Sequence, residues 1–239
     1  MQNQLRSIPR VERLIVALDV SSVEEAKALV QLLGDSTTFY KLGLELFMAD
    51  GYFALIDWLT RRQKKVFVDL KFFDVPETVR AAVRGLQNRG VTFATVHGNQ
   101  AMLEAAGKDK GDVKILAVTA LTSLDQGDLD DLGFQCDVQK LVLSRAKRAL
   151  EAGCDGVISS GLEAPALRRD LGGRLLIVIP GIRPVQNRFA DDQKRTVDVA
   201  QAFANGADYV VVGRPIRQAT DPRAAAQALQ TTIAAVFPA

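Results

Sequence analysis

The chain has 239 residues, 48% hydrophobic and 24% charged, and its 30 Lys+Arg against 28 Asp+Glu leave a formal charge of +2. This composition excludes collagen-like, disordered and disulfide-scaffold classes, and a chain of this length buries about three quarters of its unfolded surface without a staple. Acidic and basic residues are interspersed, which leaves no electrostatic footprint for a nucleic-acid backbone. Two cysteines, Cys136 and Cys154, and one histidine, His97, are too few for a structural zinc site of about four Cys/His ligands. The N-terminal stretch MQNQLRSIPRVERLIVALDV has no apolar leader, and no apolar run reaches membrane-spanning length. We therefore expect a cytoplasmic protein with no membrane or nucleic-acid partner, residues 1–12 forming a short extension and 13–239 one domain.

In chain order, short β-branched runs alternate with amphipathic segments. Strands are expected at Arg13–Leu18, Phe39–Leu42, Val66–Leu70, Phe93–Val96, Lys114–Val118, Gly156–Ser159, Leu175–Ile179 and Tyr209–Val212. Runs such as LIVAL, KVFVDL, KILAV, LLIVI and YVVV are continuously apolar, as suits parallel strands covered on both faces. Between strands, VEEAKALVQLL, PETVRAAVRGLQNRG, VQKLVLSRAKRALEAG and DPRAAAQALQTTIAAV carry apolar residues at helical spacing. Gly34, Gly90 and Gly153 are the expected helix stops. An open doubly wound sheet usually has fewer strands, so strict alternation of this many units matches a closed α/β (β/α)₈ TIM barrel, a single domain. The polar stretch Arg183–Arg195 (RPVQNRFADDQKR) is too long for a standard barrel connection and reads as a lid.

Functional groups in a barrel gather at the C-terminal strand ends. Those positions here hold Asp19, Lys41, Asp69, Lys71, His97, Thr122, the Pro180-Gly181-Ile182-Arg183 turn and Gly213-Arg214. A single charge at a strand end is ordinarily solvated rim. Alternating charges from three successive strands, Asp19, Lys41, Asp69 and Lys71, point instead to one charged mouth. In Asp69-x-Lys71-x-x-Asp74, residues i and i+2 of an extended segment share a face, so Asp69 and Lys71 are both expected to face the axis. Local sequence gives Asp74 a competing role, because Asp followed by Pro76 and Glu77 is also a helix N-terminal signature.

VALDV, FYKLG, VFVDLKFFDVPETV, LAVTALTS, IPGIRP and YVVVGRPI, in this order and spacing, resemble the orotidine 5'-phosphate decarboxylase family from about Arg13 to Pro222. The resemblance implies a (β/α)₈ homodimer that converts orotidine 5'-phosphate to uridine 5'-phosphate (UMP), the last step of de novo pyrimidine biosynthesis. It implies no metal and no organic cofactor. Lys41, Asp69, Lys71 and Asp74 match the family's charged tetrad, Lys41 also contacting substrate, and Asp19 matches the residue that holds the ribose hydroxyls. Asp74 and Thr78 match positions that enter the partner subunit's site, and Thr122, Pro180, Arg183, Gln193, Gly213 and Arg214 match positions around base and phosphate. Physics supports the Gly213-Arg214 pair independently: a barrel phosphate site forms after the last two strands, where Gly admits close approach and Arg is a two-pronged donor.

His97 ends FATVHG but belongs to no tetrad, so packing is expected of it. Ser159 and Ser160 lack an activating His or Lys and are expected to be packing or hydrogen-bonding residues beside the base. Loss of CO₂ from carbon six leaves a carbanion, so the expected mechanism is electrostatic. Lys71 would stabilise that charge and return a proton, Asp69 would lie near the departing carboxylate, and Lys41 and Asp74 would flank Lys71. The closest alternative is a metal-dependent sugar-phosphate decarboxylase or hexulose-phosphate synthase. Such enzymes share the barrel and the Asp-x-Lys-x-x-Asp motif but place a carboxylate at the Lys41 position to hold Mg²⁺. A catalytically silent phosphate-binding barrel is the other alternative, and the filled tetrad argues against it.

Overall fold

The computed structural model describes residues 8–97, 99–182 and 197–238. Parallel strands close into a barrel in sequence order. They are β1 (Leu14–Ala17), β2 (Phe39–Gly43), β3 (Lys65–Phe72), β4 (Val91–His97), β5 (Lys114–Val118), β6 (Gly156–Ile158), β7 (Leu176–Ile179) and β8 (Tyr209–Val212). β1 pairs with both β2 and β8, so the sheet has no free edge. The expected TIM barrel is what the chain forms.

The differences lie at element ends. β3 and β4 run past their apolar runs to take in Lys65, Lys71 and Phe72 on one, and Val91, Thr92 and His97 on the other. Backbone pairing needs no apolar side chain, so apolar runs understate these strands. The helix that begins at Pro76 stops at Arg84 with Gly85 as its cap, and Gly90 takes its left-handed φ of +70° in the turn beyond. Helices at Leu44–Phe47 and Gln126–Asp131 are too short for apolar spacing to mark them, and Tyr52–Thr60 (YFALIDWLT) is apolar nearly throughout, so it shows no single apolar face.

Local sequence does set most helix starts. Ser22, Asn99, Asp137, Asp198 and Asp221 each accept a first-turn amide, opening helices Val23–Leu33, Gln100–Lys108, Val138–Glu151, Val199–Ala204 and Pro222–Val236. Each such cap contributes about 1 kcal/mol. Among the described residues, no helix is long and apolar enough to cross a membrane, and both cysteines are free.

Strand alternation divides the apolar side chains between two cores. Leu14, Val16, Tyr40, Leu42, Val66 and Val68 pack outward under the helices. Ile15, Phe39, Phe67, Phe93 and Tyr209 face the axis. The rings of Phe39, Phe67, Phe93 and Tyr209 contact one another with centroids 5.1 to 6.0 Å apart, forming an aromatic floor across the barrel. Two residues further along their strands stand Lys41, Asp69 and Thr95. The floor therefore supports the polar mouth directly.

Candidate active site

The C-terminal strand ends enclose a cavity of about 490 Å³. Asp19, Lys41, Asp69, Lys71, Thr122, Pro180, Gly213 and Arg214 all line it. Arg183 and Gln193, and the Arg183–Arg195 stretch expected as a lid, lie outside the described residues. Asp74 and Thr78 are exposed and are not among the cavity's described lining residues.

The charges form an alternating row. Lys41 Nζ lies 2.9 Å from Asp19 Oδ1 and 3.4 Å from Asp69 Oδ2, and Lys71 Nζ lies 3.0 Å from Asp69 Oδ1. The outer side chains, Asp19 and Lys71, are 42% and 32% exposed, whereas Lys41 and Asp69 are at 12% and 13%. Burial works against charge on the inner pair, and each neutralises the other. Burial would raise the Asp69 pKa, but Lys41, Lys71 and hydrogen bonds from Lys71 and Thr95 hold it below the usual carboxylate range. Burial would lower that of Lys41, but Asp69 and Asp19 hold it above the usual ammonium range. Both are charged at neutral pH. Gly43 leaves room for the row: a Cβ there would stand 3.0 Å from Lys41 Nζ and 3.2 Å from Asp19 Oδ1.

β3 is irregular where it carries these groups. Val68 pairs with Ala94 and Phe72 with Val96, so Asp69, Leu70 and Lys71 stand opposite Thr95 alone. Lys71 takes a left-handed φ of +51°, which side chains with a Cβ rarely adopt. Asp69 and Lys71 do share the cavity as expected, through this bulge rather than through a regular pleat. Thr95 is fully buried; its Oγ1 accepts the Lys71 N–H at 2.9 Å and donates to Asp69 Oδ1 at 2.9 Å. A threonine within FATVH gives no sequence signal, and only the register reveals it. Arg217 also escapes the sequence reading. It lines the cavity three residues after Arg214 on the short helix Arg214–Arg217, and its buried Nε has no hydrogen-bond partner among the described residues. Its signal was the helical spacing from Arg214.

The remaining expected residues lie around this site. Asp74 Oδ1 accepts the amide of adjacent Val75 at 2.7 Å, while Val75 is the N-cap of helix Pro76–Arg84 with no side-chain cap bond. Asp74 thus does not cap that helix. His97 packs edge-on against Phe73, with ring centroids 5.6 Å apart. Burial, then Arg145 and Lys71, lowers its pKa below the ordinary value. Ser159 and Ser160 donate their hydroxyls to the buried Glu163 carboxylate, as does the Ser160 amide, off the cavity wall. Among the described residues no three His, Cys, Asp or Glu side chains gather as a metal-ligating set. The space between Asp19 and Asp69 is filled by the Lys41 ammonium.

Known proteins resemble the chain over nearly its whole length. The model for the orotidine 5'-phosphate decarboxylase / HUMPS family matches residues 12–229. An orotidine 5'-phosphate decarboxylase from Methylococcus capsulatus is 67% identical over 234 residues, covering 98% of this chain and 97% of the relative. One from Xanthomonas euvesicatoria pv. vesicatoria is 53% identical over 229 residues, covering 95% and 94%. Among solved structures, orotidine 5'-phosphate decarboxylase from Lactobacillus acidophilus superposes with a TM-score of 0.82 at 36% identity, covering 93% of this chain and 99% of that one. That from Pyrococcus horikoshii superposes with a TM-score of 0.74 at 26% identity, covering 92% and 98%. With the barrel, its charged mouth and relatives this similar over nearly its whole length, the chain belongs to the orotidine 5'-phosphate decarboxylase / HUMPS family.

Proposed function

We propose that the chain decarboxylates orotidine 5'-phosphate to UMP, the last step of de novo pyrimidine biosynthesis, in the cavity at the barrel mouth. Lys41 carries this choice within the family: its ammonium stands between Asp19 and Asp69, where a metal-dependent sugar-phosphate enzyme needs a carboxylate. A positive charge there repels a divalent cation. The relatives at 67% and 53% identity bear the decarboxylase name.

As the bond from C6 to its carboxylate breaks, CO₂ leaves and the electron pair stays on C6. Lys71 places its ammonium beside that pair, stabilises it and then donates the proton that completes the uracil ring. Asp69, kept ionised by Lys41 and Lys71, holds Lys71 in place and presents negative charge to the departing carboxylate. Asp19 takes the ribose hydroxyls, Thr122 and Pro180 face the base, and Gly213 and Arg214 take the phosphate. A Cβ on Gly213 would make only ordinary contacts, 3.5 Å to Ala17 Cβ and 3.6 Å to Asp19 Oδ2. The Gly213 backbone, at φ −113° and ψ −99°, lies outside the regions that other residues favour, so glycine suits the turn there as well as the approach of an anion. Arg183 and Gln193, carried over from the family resemblance, take phosphate and base, so that binding energy remote from C6 serves the chemistry. The reaction so drawn uses no metal or organic cofactor.

The working unit is a cytoplasmic homodimer. Phe73 to Thr78 form an exposed run in which Phe73 is 65% and Val75 62% exposed. Large apolar side chains standing beside a charged group suit an isologous contact. Asp74 and Thr78 then enter the partner's cavity, and Asp74 flanks Lys71 opposite Asp69.

Chelator-treated protein should bleach the absorbance of orotidine 5'-phosphate and release one CO₂ per UMP formed. A need for added Mg²⁺, or turnover of a keto-sugar phosphate instead, would overturn the assignment.

A further inference from the structure

We propose that Thr95 is a positioning residue for the Asp69–Lys71 pair: its one hydroxyl, buried opposite the β3 bulge, holds the Lys71 backbone in place and fixes the Asp69 carboxylate. A hydroxyl offers one proton and two lone pairs. At Thr95 the proton goes to Asp69 Oδ1 at 2.9 Å, and a lone pair receives the Lys71 N–H at 2.9 Å. Both partners come from the same three-residue excursion of β3, and Thr95 is the residue of β4 that faces it.

The bulge explains why such a group is needed. Where three residues face one, the Lys71 amide has lost its regular ladder acceptor, and a buried amide without an acceptor is costly. The Thr95 hydroxyl supplies that acceptor from the neighbouring strand, so the left-handed φ of Lys71 is tied to a fixed point. The same hydroxyl pins the carboxylate. Asp69 Oδ1 receives Thr95 and Lys71 Nζ, while Oδ2 faces Lys41 at 3.4 Å, so each oxygen has its assigned cation. Remove the hydroxyl, and the carboxylate plane is free to turn and the Lys71 backbone free to shift. Small displacements of a reacting group cost much in rate. Thr95 is not among the cavity's described lining residues; it acts through Asp69 and Lys71, which are.

The proposal rests on the roles given to Asp69 and Lys71, so wild-type turnover and the activity of Lys71→Ala are measured alongside and report on those roles separately. Thr95→Val keeps the shape and removes both hydrogen bonds, whereas Thr95→Ser keeps the hydroxyl. Thr95→Val should lower kcat by about 10- to 100-fold, the scale for losing a hydrogen bond to a charged group. UMP affinity should stay within about 3-fold, since the binding groups are untouched. Thr95→Ser should recover most of the loss. The acidic limb of the kcat/KM profile should also move to higher pH in Thr95→Val, because Asp69 loses one of the hydrogen bonds that keep it ionised. A packing role alone would not move that limb. Should circular dichroism show that Thr95→Val does not fold, Thr95→Ala takes its place under the same criteria. Retained kcat, equal losses in the Val and Ser variants, or a loss of UMP affinity in step with kcat would each overturn the proposal.

Discussion

Lys71 Nζ stands 3.0 Å from Oδ1 of Asp69, two residues back along the same strand. Pairing of this kind keeps the ammonium aimed without consuming it, provided that Asp69 has a second cation to share, and Lys41 provides one. In the proposed mechanism, Lys71→Ala removes both the charge at C6 and the proton source. Turnover should fall by about a thousand-fold or more, the upper scale for losing a group aimed at developing charge. UMP binding should survive. CO₂ release under single-turnover conditions measures the loss, and retention of substantial turnover would assign the proton donor elsewhere.

Arg214 opens the short helix after β8 and lines the cavity. Arg214→Ala should weaken UMP binding by roughly 2–3 kcal/mol, as expected for losing a charge-assisted contact to phosphate. Binding of the phosphate-free nucleoside should not change, so the two affinities converge in the variant. Turnover should slow as well if the phosphate drives closure. Calorimetry with the two ligands decides it, and unchanged UMP affinity would remove Arg214 from the site.

Asp74 is exposed and lies off its own cavity. In a shared site, Lys71→Ala and Asp74→Ala homodimers should each be nearly inactive. A hybrid dimer puts both lesions in one site and leaves the other intact. Equal mixing makes half the dimers hybrid, each with one working site of two, so activity should return to about a quarter of wild type. No recovery, despite subunit exchange verified by mass spectrometry, would mean that Asp74 serves its own chain.

His97 is the one histidine, and its folded pKa lies below the ordinary 6.5 through burial, Arg145 and Lys71. The unfolded chain therefore takes up this proton at higher pH than the folded one. Stability is full above about pH 6.5 and declines as pH falls from there to the lowered folded value. Melting temperatures compared on either side of that window should drop more in wild type than in His97→Gln. Equal drops would place the acid sensitivity in other groups.

Much of this was legible in the sequence, for physical reasons. LIVAL, KILAV and YVVV read as strands because a parallel strand buried on both faces must be apolar throughout. Asp19, Lys41, Asp69, Lys71 and Arg214 were legible because charged residues directly after such runs have only the barrel mouth to occupy. The bulge in β3 was not legible, since it depends on a register between two strands that neither strand encodes alone. Thr95 became visible only with that register. Gly90 misled for a related reason: a glycine signals a left-handed turn, but Gly85 had already ended the helix.

The aromatic floor has a consequence for traffic. Phe39, Phe67 and Phe93 are at most 1% exposed, and Tyr209 is 5% exposed, so among the described residues these rings close the lower end of the barrel. The cavity is a cul-de-sac. Gas and nucleotide leave by the same opening, and bulk water arrives by it too. With substrate in that opening, the proposed reaction takes the replacement hydrogen for C6 from a group already inside. Lys71, which lines the cavity, is the donor that the proposed mechanism places there.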